Sequence, residues 1–217
     1  MRRVYLQRTA LGAVLALCMP LATAAPSGKD IVNQGNGKGA TACATCHGSD
    51  GAGNDAAGFP RLAGLNAIYL SKQLQDFKTG MRSNPIMNGV AGALSDEEIQ
   101  TLADYFSTLH TPASQVAADK PLLEQGEKLA SRGNWDQGVP ACFRCHGDQA
   151  QGGGPAMPAL AGQQQSYLQS QLQAFQDGQR HNDPVGLMGT IAGRLSEAEI
   201  QALSAYLASL TPPAAKQ

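Results

Sequence analysis

The sequence predicts an all-α protein that consists of two tandem copies of one small domain. Three observations support this prediction. The chain repeats itself at an offset of 98 to 101 residues, both copies carry apolar residues at helical spacing, and strand-like runs are nearly absent. Glycine is abundant and aromatic residues are few, so a small domain of this composition would be marginally stable alone.

The repeat aligns the two halves of the chain over most of their length. The match begins at Cys43 and Cys142 and continues to Met87 and Met188, where the second half has gained three residues around Asp183–Gly186. The join falls in the segment Thr111 to Pro121, whose Pro and Ala content is typical of a linker. We therefore predict a first domain over residues 25–112, a linker over 113–119 and a second domain over 120–217.

Each copy is predicted to contain three main helices. The first is expected near Lys29–Gln34 and, in the second copy, around Leu122–Arg132. The second covers Asn66–Thr79 and its repeat, where apolar residues recur at i, i+4 and i+7. The third begins at a capping box, in which a serine is followed three residues later by a glutamate. The apolar positions and capping boxes are Leu70, Leu74, Phe77, Ser95, Glu98, Ile99, Leu102, Phe106 and Leu109 in the first copy, and Leu168, Leu172, Phe175, Ser196, Glu199, Ile200, Leu203, Leu207 and Leu210 in the second.

Two copies of the pattern Cys-x-x-Cys-His are the most informative feature of the chain. The first ends at His47 and the second at His146, and a glycine follows each. This pattern is a c-type haem attachment site. The two sulfurs add across the vinyl groups of haem, and the histidine is placed to ligate the iron. The sequence therefore predicts two haem c groups, held covalently by Cys43, Cys46, Cys142 and Cys145.

A Cys-x-x-Cys pair can also be a dithiol redox motif or half of a zinc site. A zinc site needs two further ligands at similar spacing, and each half offers one histidine directly after its pair. A thioredoxin-like site needs alternating strands and helices, which this sequence lacks. Both alternatives are therefore disfavoured against haem attachment.

The second axial ligand of each iron decides the function, because a sixth protein ligand favours electron transfer and an open position favours binding or catalysis. Four methionines follow the N-terminal segment, and a methionine more often fills a core than binds a metal. Met87 and Met188 are repeat partners in segments between helices, whereas Met81 and Met157 have no methionine in the other half. The predicted axial ligands are His47 and Met87 for one iron, and His146 and Met188 for the other.

The N-terminal segment predicts export. Arg2, Arg3 and Arg8 surround the start of an apolar run from Ala10 to Leu21, which is too short to span a membrane. The small residues that follow predict a signal peptide over residues 1–24, cleaved near Ala24. Cleavage would take the formal charge from −1 to −4, shared about equally between the halves. No basic patch supports nucleic-acid binding, and no further apolar run supports a membrane span.

Two residues distinguish the second copy from the first. Arg144 stands where the first motif has Thr45, and it is one candidate source of a difference between the redox potentials of the two haems. A solvated surface charge is the alternative. Trp135 has no counterpart in the first copy and is expected to pack near the first helix of the second domain.

These residues resemble class I cytochromes c, and the tandem arrangement is similar to the dihaem cytochrome c4 family. The resemblance covers nearly the whole chain after the N-terminal segment, and its motifs are Cys-x-x-Cys-His-Gly, Pro-x-Leu-x-Gly and Met-x-x-x-Ala-Gly-x-Leu-Ser. It implies two tandem class I cytochrome c domains, each wrapped around one covalently attached haem. It also implies that the carbonyl oxygens of Pro60 and Pro158 accept hydrogen bonds from His47 and His146.

The resemblance further implies a non-enzymatic electron carrier of the bacterial periplasm, soluble or loosely membrane-associated. Members of the family typically take electrons from a cytochrome bc1-type, quinol-oxidising complex and deliver them to a terminal oxidase. Two alternatives stay open: a dihaem peroxidase-type oxidoreductase, and the electron-transfer subunit of a dehydrogenase. The short halves argue against the peroxidase, because no insertion is available to build a substrate pocket.

Overall fold

The computed structural model describes residues 26–112, 116–183 and 185–213, so the predicted signal peptide lies outside the described residues. Within these ranges the regular structure is helical, with three isolated bridges and no strand. The helices are α1 (Gly28–Gln34), α2 (Ala44–His47), α3 (Ala67–Thr79), α4 (Met87–Gly92), α5 (Asp96–Thr108), α6 (Lys120–Arg132), α7 (Phe143–His146), α8 (Gln165–Gln176), α9 (Leu187–Ala192) and α10 (Glu197–Ser209), with 3-10 turns at Trp135–Gln137 and Asp148–Ala150. The all-α prediction is confirmed.

Helices α1 to α5 and α6 to α10 form two domains with the same order of elements. In both domains the first and last helices pack against each other at a glycine. A Cβ atom on Gly28 would lie 2.6 Å from the Cβ of Tyr105, and one on Gly126 would lie 2.2 Å from the carbonyl oxygen of Ala202. The two backbones are therefore too close at this point for any larger residue.

The helix boundaries follow the predicted signals closely. Asn66 is the N-cap of α3 and accepts hydrogen bonds from two backbone N–H groups of its first turn. The serine of each predicted capping box accepts a bond from the glutamate N–H, and the glutamate carboxylate accepts one from the serine N–H. One local prediction is wrong: Met87 and Met188 do not lie between helices but in the first turns of α4 and α9.

Each domain has its own apolar core. The buried members include Ile31, Leu70, Ile99, Leu102 and Phe106 in the first domain, and Leu129, Leu168, Ile200, Leu203 and Leu207 in the second. Leu74 and Leu172 pack against these cores but are only half-buried, and both also line a cavity. No helix among the described residues is long and apolar enough to cross a membrane.

The prediction for Trp135 is wrong. Its side chain is 67% exposed and is therefore not packed into the second domain. Asn134 and Val139 exchange two backbone hydrogen bonds of 2.8 Å, and this bridge closes the intervening 3-10 turn into a loop. The loop holds the ring outside the core, and a sequence pattern of single residues could not reveal this.

Candidate functional site

Each Cys-x-x-Cys-His motif folds into a single helical turn. Cys43 and Cys142 are the N-caps of α2 and α7, and the carbonyl oxygen of each accepts a hydrogen bond of 2.9 Å from the backbone N–H of the motif histidine. Residues three and four positions apart share one face of a helix, so both sulfurs and the imidazole of a motif lie on the same side. The motif therefore presents its two thiols and its imidazole together on one face of the helical turn.

The two motif histidines are held in the same way. The Nδ1 atom of His47 lies 2.9 Å from the carbonyl oxygen of Pro60, and Nδ1 of His146 lies 2.8 Å from that of Pro158. A carbonyl can only accept, so Nδ1 carries the hydrogen and Nε2 of the neutral ring has a free lone pair. Burial lowers the pKa of both histidines despite the opposing effect of the carbonyls, which favours the neutral form that binds iron.

The cysteines do not have the properties of a dithiol redox pair. Burial raises the pKa of Cys43 and that of Cys142 to about 11, whereas reactive redox cysteines have lowered values. Zinc binding also lacks support, since no group of three or more His, Cys, Asp or Glu side chains among the described residues could hold a metal ion. Both alternatives to haem attachment are thereby weakened.

One continuous cavity of about 850 Å³ runs from the first motif to the second. All four motif cysteines and both histidines line it, and its walls are largely apolar, with leucines and Phe77 and Phe175 from the middle helices. Two haems require apolar walls, paired thiols and an imidazole with a free nitrogen for each iron. The residues present fit two covalently bound haem c groups, and they place both groups in one connected space.

Met87 and Met188 both line this cavity, and Met81 does not, with its side chain 54% exposed. The backbone N–H of Met87 donates to Asn84 Oδ1 at 2.9 Å, and that of Met188 donates to Asp183 Oδ2 at 2.8 Å. A side-chain oxygen thus fixes the start of both helices. Ligation of iron by these two methionines stays a prediction.

Met157 also lines the cavity, which its lack of a repeat partner did not reveal. It directly precedes Pro158, whose carbonyl oxygen accepts the bond from His146. Met157 therefore lies near the loop that supports the histidine side of the second site. This position makes it a weaker candidate for the opposite axial ligand than Met188.

Sequence reasoning missed a polar network between the two domains. Arg82 donates to Gln73 of its own domain and to Tyr167 and Gln171 of the second domain, at 2.6 to 2.8 Å. Arg180, the repeat partner of Arg82, makes the corresponding bonds to Gln171, Gln73 and Tyr69, at 2.8 to 3.4 Å. The signal was present in the repeat, because these six residues form three aligned pairs, but conserved spacing between halves does not show that the halves touch.

The two arginines place positive charge on the cavity wall. Each guanidinium also stacks on the phenylalanine of its own middle helix, at 4.6 Å for Arg82 and 4.5 Å for Arg180. Burial alone would raise the pKa of Tyr167, but the charges of the two arginines outweigh it and lower the pKa. A haem carries two carboxylates, so the positive charge of this wall suits them.

The pseudo-symmetry of the network is broken by Asn182. Its side chain donates to Gln73 at 3.0 Å and to Asp76, and Asp76 is in turn paired with Lys72. Its repeat partner Asn84 instead accepts hydrogen bonds from the backbone N–H groups of Ile86 and Met87 at the start of α4. In the second copy Asp183, within the three-residue insertion, accepts the bond from the N–H of Met188, and Asn182 bonds across the interface.

Comparison with known proteins agrees with this geometry. The family model of cytochrome c matches residues 28–110 and again residues 123–211. The chain is 45% identical over 202 residues to the "Thiosulfate dehydrogenase electron acceptor" of Stutzerimonas stutzeri (strain A1501), covering 92% of this chain and 94% of that protein.

Two solved structures are also similar. A thiosulfate dehydrogenase (TsdBA) from Marichromatium purpuratum superposes with a TM-score of 0.79 at 43% identity, covering 85% of this chain but only 40% of that one. Reduced cytochrome c4 from Pseudomonas stutzeri superposes with a TM-score of 0.75 at 39% identity, covering 84% and 96%. With two haem c groups bound in tandem domains, the chain is a dihaem electron-transfer protein that belongs to the cytochrome c family and, within it, to the cytochrome c4-like proteins.

Proposed function

We propose that this protein is a periplasmic electron carrier that accepts electrons from a thiosulfate dehydrogenase. The full-length similarity to a protein named as the electron acceptor of that enzyme carries the proposal. Further support comes from the TsdBA chain, in which a segment similar to this protein belongs to the same polypeptide as a thiosulfate dehydrogenase. A related possibility was raised by the sequence, the electron-transfer subunit of a dehydrogenase, whereas the carrier proposed here is a separate protein.

The residues of the two sites suit an electron carrier. When bound, the haems supply two one-electron redox centres per chain. His47 and His146 are oriented by Pro60 and Pro158, and the covalent links from the four cysteines keep each group in place during turnover. Ligation of one iron by Met87 and of the other by Met188 would leave no open axial position for a substrate. A methionine ligand also raises the reduction potential of the haem. The network around Arg82 and Arg180 holds the domains together, which keeps the two centres at a fixed separation.

A periplasmic location rests on the N-terminal segment. Its arginines, apolar run and small residues match a cleavable export signal. Haem attachment to Cys-x-x-Cys also consumes thiols that would otherwise oxidise in that compartment.

Reduction of the purified, oxidised holoprotein by thiosulfate tests the proposal. Thiosulfate and a catalytic amount of thiosulfate dehydrogenase should reduce both haems, seen as the optical spectrum of the ferrous form. Omission of the enzyme should leave the spectrum unchanged. No reduction above that control would contradict the proposed donor.

A quinol-oxidising bc1-type complex is the second candidate donor, favoured by the similarity to cytochrome c4. The same assay, run with quinol and that complex, separates the two. Reduction by the complex with none by the dehydrogenase would assign the protein to the respiratory route from quinol towards a terminal oxidase.

The peroxidase alternative has a separate test. An enzyme of that type needs an open or displaceable axial position, so carbon monoxide should bind rapidly to one reduced haem at neutral pH. A carrier with both irons closed should show no stoichiometric binding.

A further inference from the structure

The repeat offers an internal control for what is specific to each haem site. Most residues that line the cavity have a chemically similar partner in the other half, but the residue after the histidine-binding proline does not. It is Arg61 in the first domain and Ala159 in the second. Arg61 lines the haem cavity, and its guanidinium lies behind the cavity wall, among backbone carbonyls. The matched position of the second domain carries no charge.

Arg61 is buried and its charge is not neutralised by a direct partner. The residue is 3% exposed, and its guanidinium donates only to backbone carbonyls: Thr111, Pro112 at 2.9 Å and Ala63 at 3.3 Å. Among the described residues no carboxylate oxygen lies within ion-pair distance of the guanidinium. Asp50 is the acidic residue whose charge interacts with it from a longer distance. A buried charge of this kind acts over a longer range than one in water.

The second domain holds this residue in place. The Arg61 N–H donates to Oε1 of Gln163 at 2.7 Å, and Nε2 of Gln163 donates back to the Arg61 carbonyl at 2.9 Å. Gln163 is 4% exposed, so this pair of hydrogen bonds is shielded from water. The repeat partner of Gln163 is Leu65, whose side chain cannot make such bonds. The second domain therefore holds the backbone of Arg61 in the first domain, and the repeat-related residue of the first domain cannot do the same for the second.

The bonded peptide group is part of the support of the first iron ligand. The carbonyl of Pro60 and the N–H of Arg61 belong to the same peptide unit, which accepts from His47 at one end and donates to Gln163 at the other. Hydrogen bonds at both ends of a peptide polarise one another. A side chain of the second domain is thus linked through one planar group to the imidazole of the first site.

We propose that Arg61 raises the reduction potential of the first haem relative to the second, and that Gln163 is the positioning residue that holds Arg61 there. Reduction adds one electron to the iron site, and a nearby fixed positive charge stabilises the more negative product. The proposal rests on the two bound haems and not on the identity of the electron donor.

The other cations near the sites do not produce the same asymmetry. Arg82 and Arg180 are repeat partners with matching bonds, so each domain contributes one. Lys72 is paired with Asp76. Arg144, which the sequence offered as a source of asymmetry, is exposed, and its field is screened by water and salt. Among the arginine and lysine side chains that line the cavity, the buried Arg61 is the one with neither a repeat partner nor an acidic partner.

The test is an optical redox titration of the holoprotein, with each midpoint assigned to its haem by proton NMR contacts to side chains of its own domain. Arg61→Met should lower the first midpoint more than the second. Arg61→Lys keeps the charge and should restore most of the first midpoint, even where urea unfolding shows lost stability. The exposed Arg144→Met is the matched control and should shift either midpoint less.

Gln163→Leu, which places the repeat-partner residue at this position, tests the positioning role. It should speed amide hydrogen exchange at Arg61 and lower the first midpoint while the charge is still present. Equal shifts in Arg61→Met and Arg61→Lys would mean that packing matters and the charge does not, which overturns the proposal. An unchanged first midpoint in Gln163→Leu would overturn the part assigned to Gln163. Neither result bears on thiosulfate dehydrogenase as the donor.

Discussion

The side chains around each iron site differ in how firmly their neighbours fix them. His47 and His146 are 7% exposed and bound at Nδ1, so their orientation is set by the protein before any metal is considered. Met87 and Met188 are half-buried and have fixed backbones. The sequence singled out the two histidines through the haem-attachment motif and the two methionines through the repeat, and all four line the cavity.

Substitution of each methionine tests its assignment. Met87→Ala should remove the methionine–iron absorption band of one haem and lower its midpoint, because loss of the thioether removes the ligand that raises the potential. Met188→Ala should do the same at the other haem. An optical redox titration measures both effects.

Two further methionines serve as controls in that experiment. Met81→Ala, at an exposed position, should leave both bands and midpoints unchanged. Met157→Ala should keep both bands as well, although the residue lines the cavity. A band lost in Met157→Ala and kept in Met188→Ala would show that the second ligand is misassigned.

At the level of helices, local sequence signals predicted most boundaries correctly. Capping serines and the spacing of leucines act over three to seven residues, and such interactions form wherever the chain is helical. The short helices that begin at Met87 and Leu187 were not predicted. Six residues are too few to show a periodic pattern, and contacts with the cavity walls and capping bonds from the preceding loop stabilise them instead.

The crossing of α6 and α10 gives a prediction about stability. Gly126→Ala should lower the free energy of unfolding by about 2 kcal/mol, because the new Cβ would overlap the carbonyl of Ala202 and the side chain of Tyr206. Gly92→Ala is the control, since a Cβ there meets no atom within 4 Å and should change stability by less than about 1 kcal/mol. Urea unfolding measures both; equal effects would refute the close packing of the two helices.

The two domains are joined by polar bonds, both buried and exposed, and each has its own apolar core. Besides the arginine network, Gln164 donates to the carbonyl of Ala52 at 2.7 Å, and the Ser166 N–H donates to Asp55 at 2.9 Å. Buried hydrogen bonds to charged groups contribute more than neutral ones, and the loss of one partner leaves the others unsatisfied. The domains should therefore unfold as one unit while the network is intact.

Arg82→Met should uncouple the domains. The substitution removes the guanidinium that donates to three side chains in the interface, which should lower the free energy of unfolding by about 3 kcal/mol. It should also split a single unfolding transition into two. Arg132→Met, at an exposed position on α6, removes the same charge and should change stability by about 0.5 kcal/mol or less. Calorimetry of the holoprotein distinguishes the outcomes, and a single unshifted transition in Arg82→Met would mean that the network does not couple the domains.

The amino-acid sequence was sufficient for the all-α fold, the duplication and the number and type of haems. These follow from covalent motifs and short-range periodicity, which do not depend on how distant parts of the chain meet. The outward position of Trp135 depends on the backbone bridge that closes its loop. The shared cavity, the paired arginines and the bonds between Gln163 and Arg61 depend on which surfaces of the two copies face each other. These contacts join residues about one hundred positions apart. No local sequence pattern encodes such contacts, so only the packing of the two domains determines them.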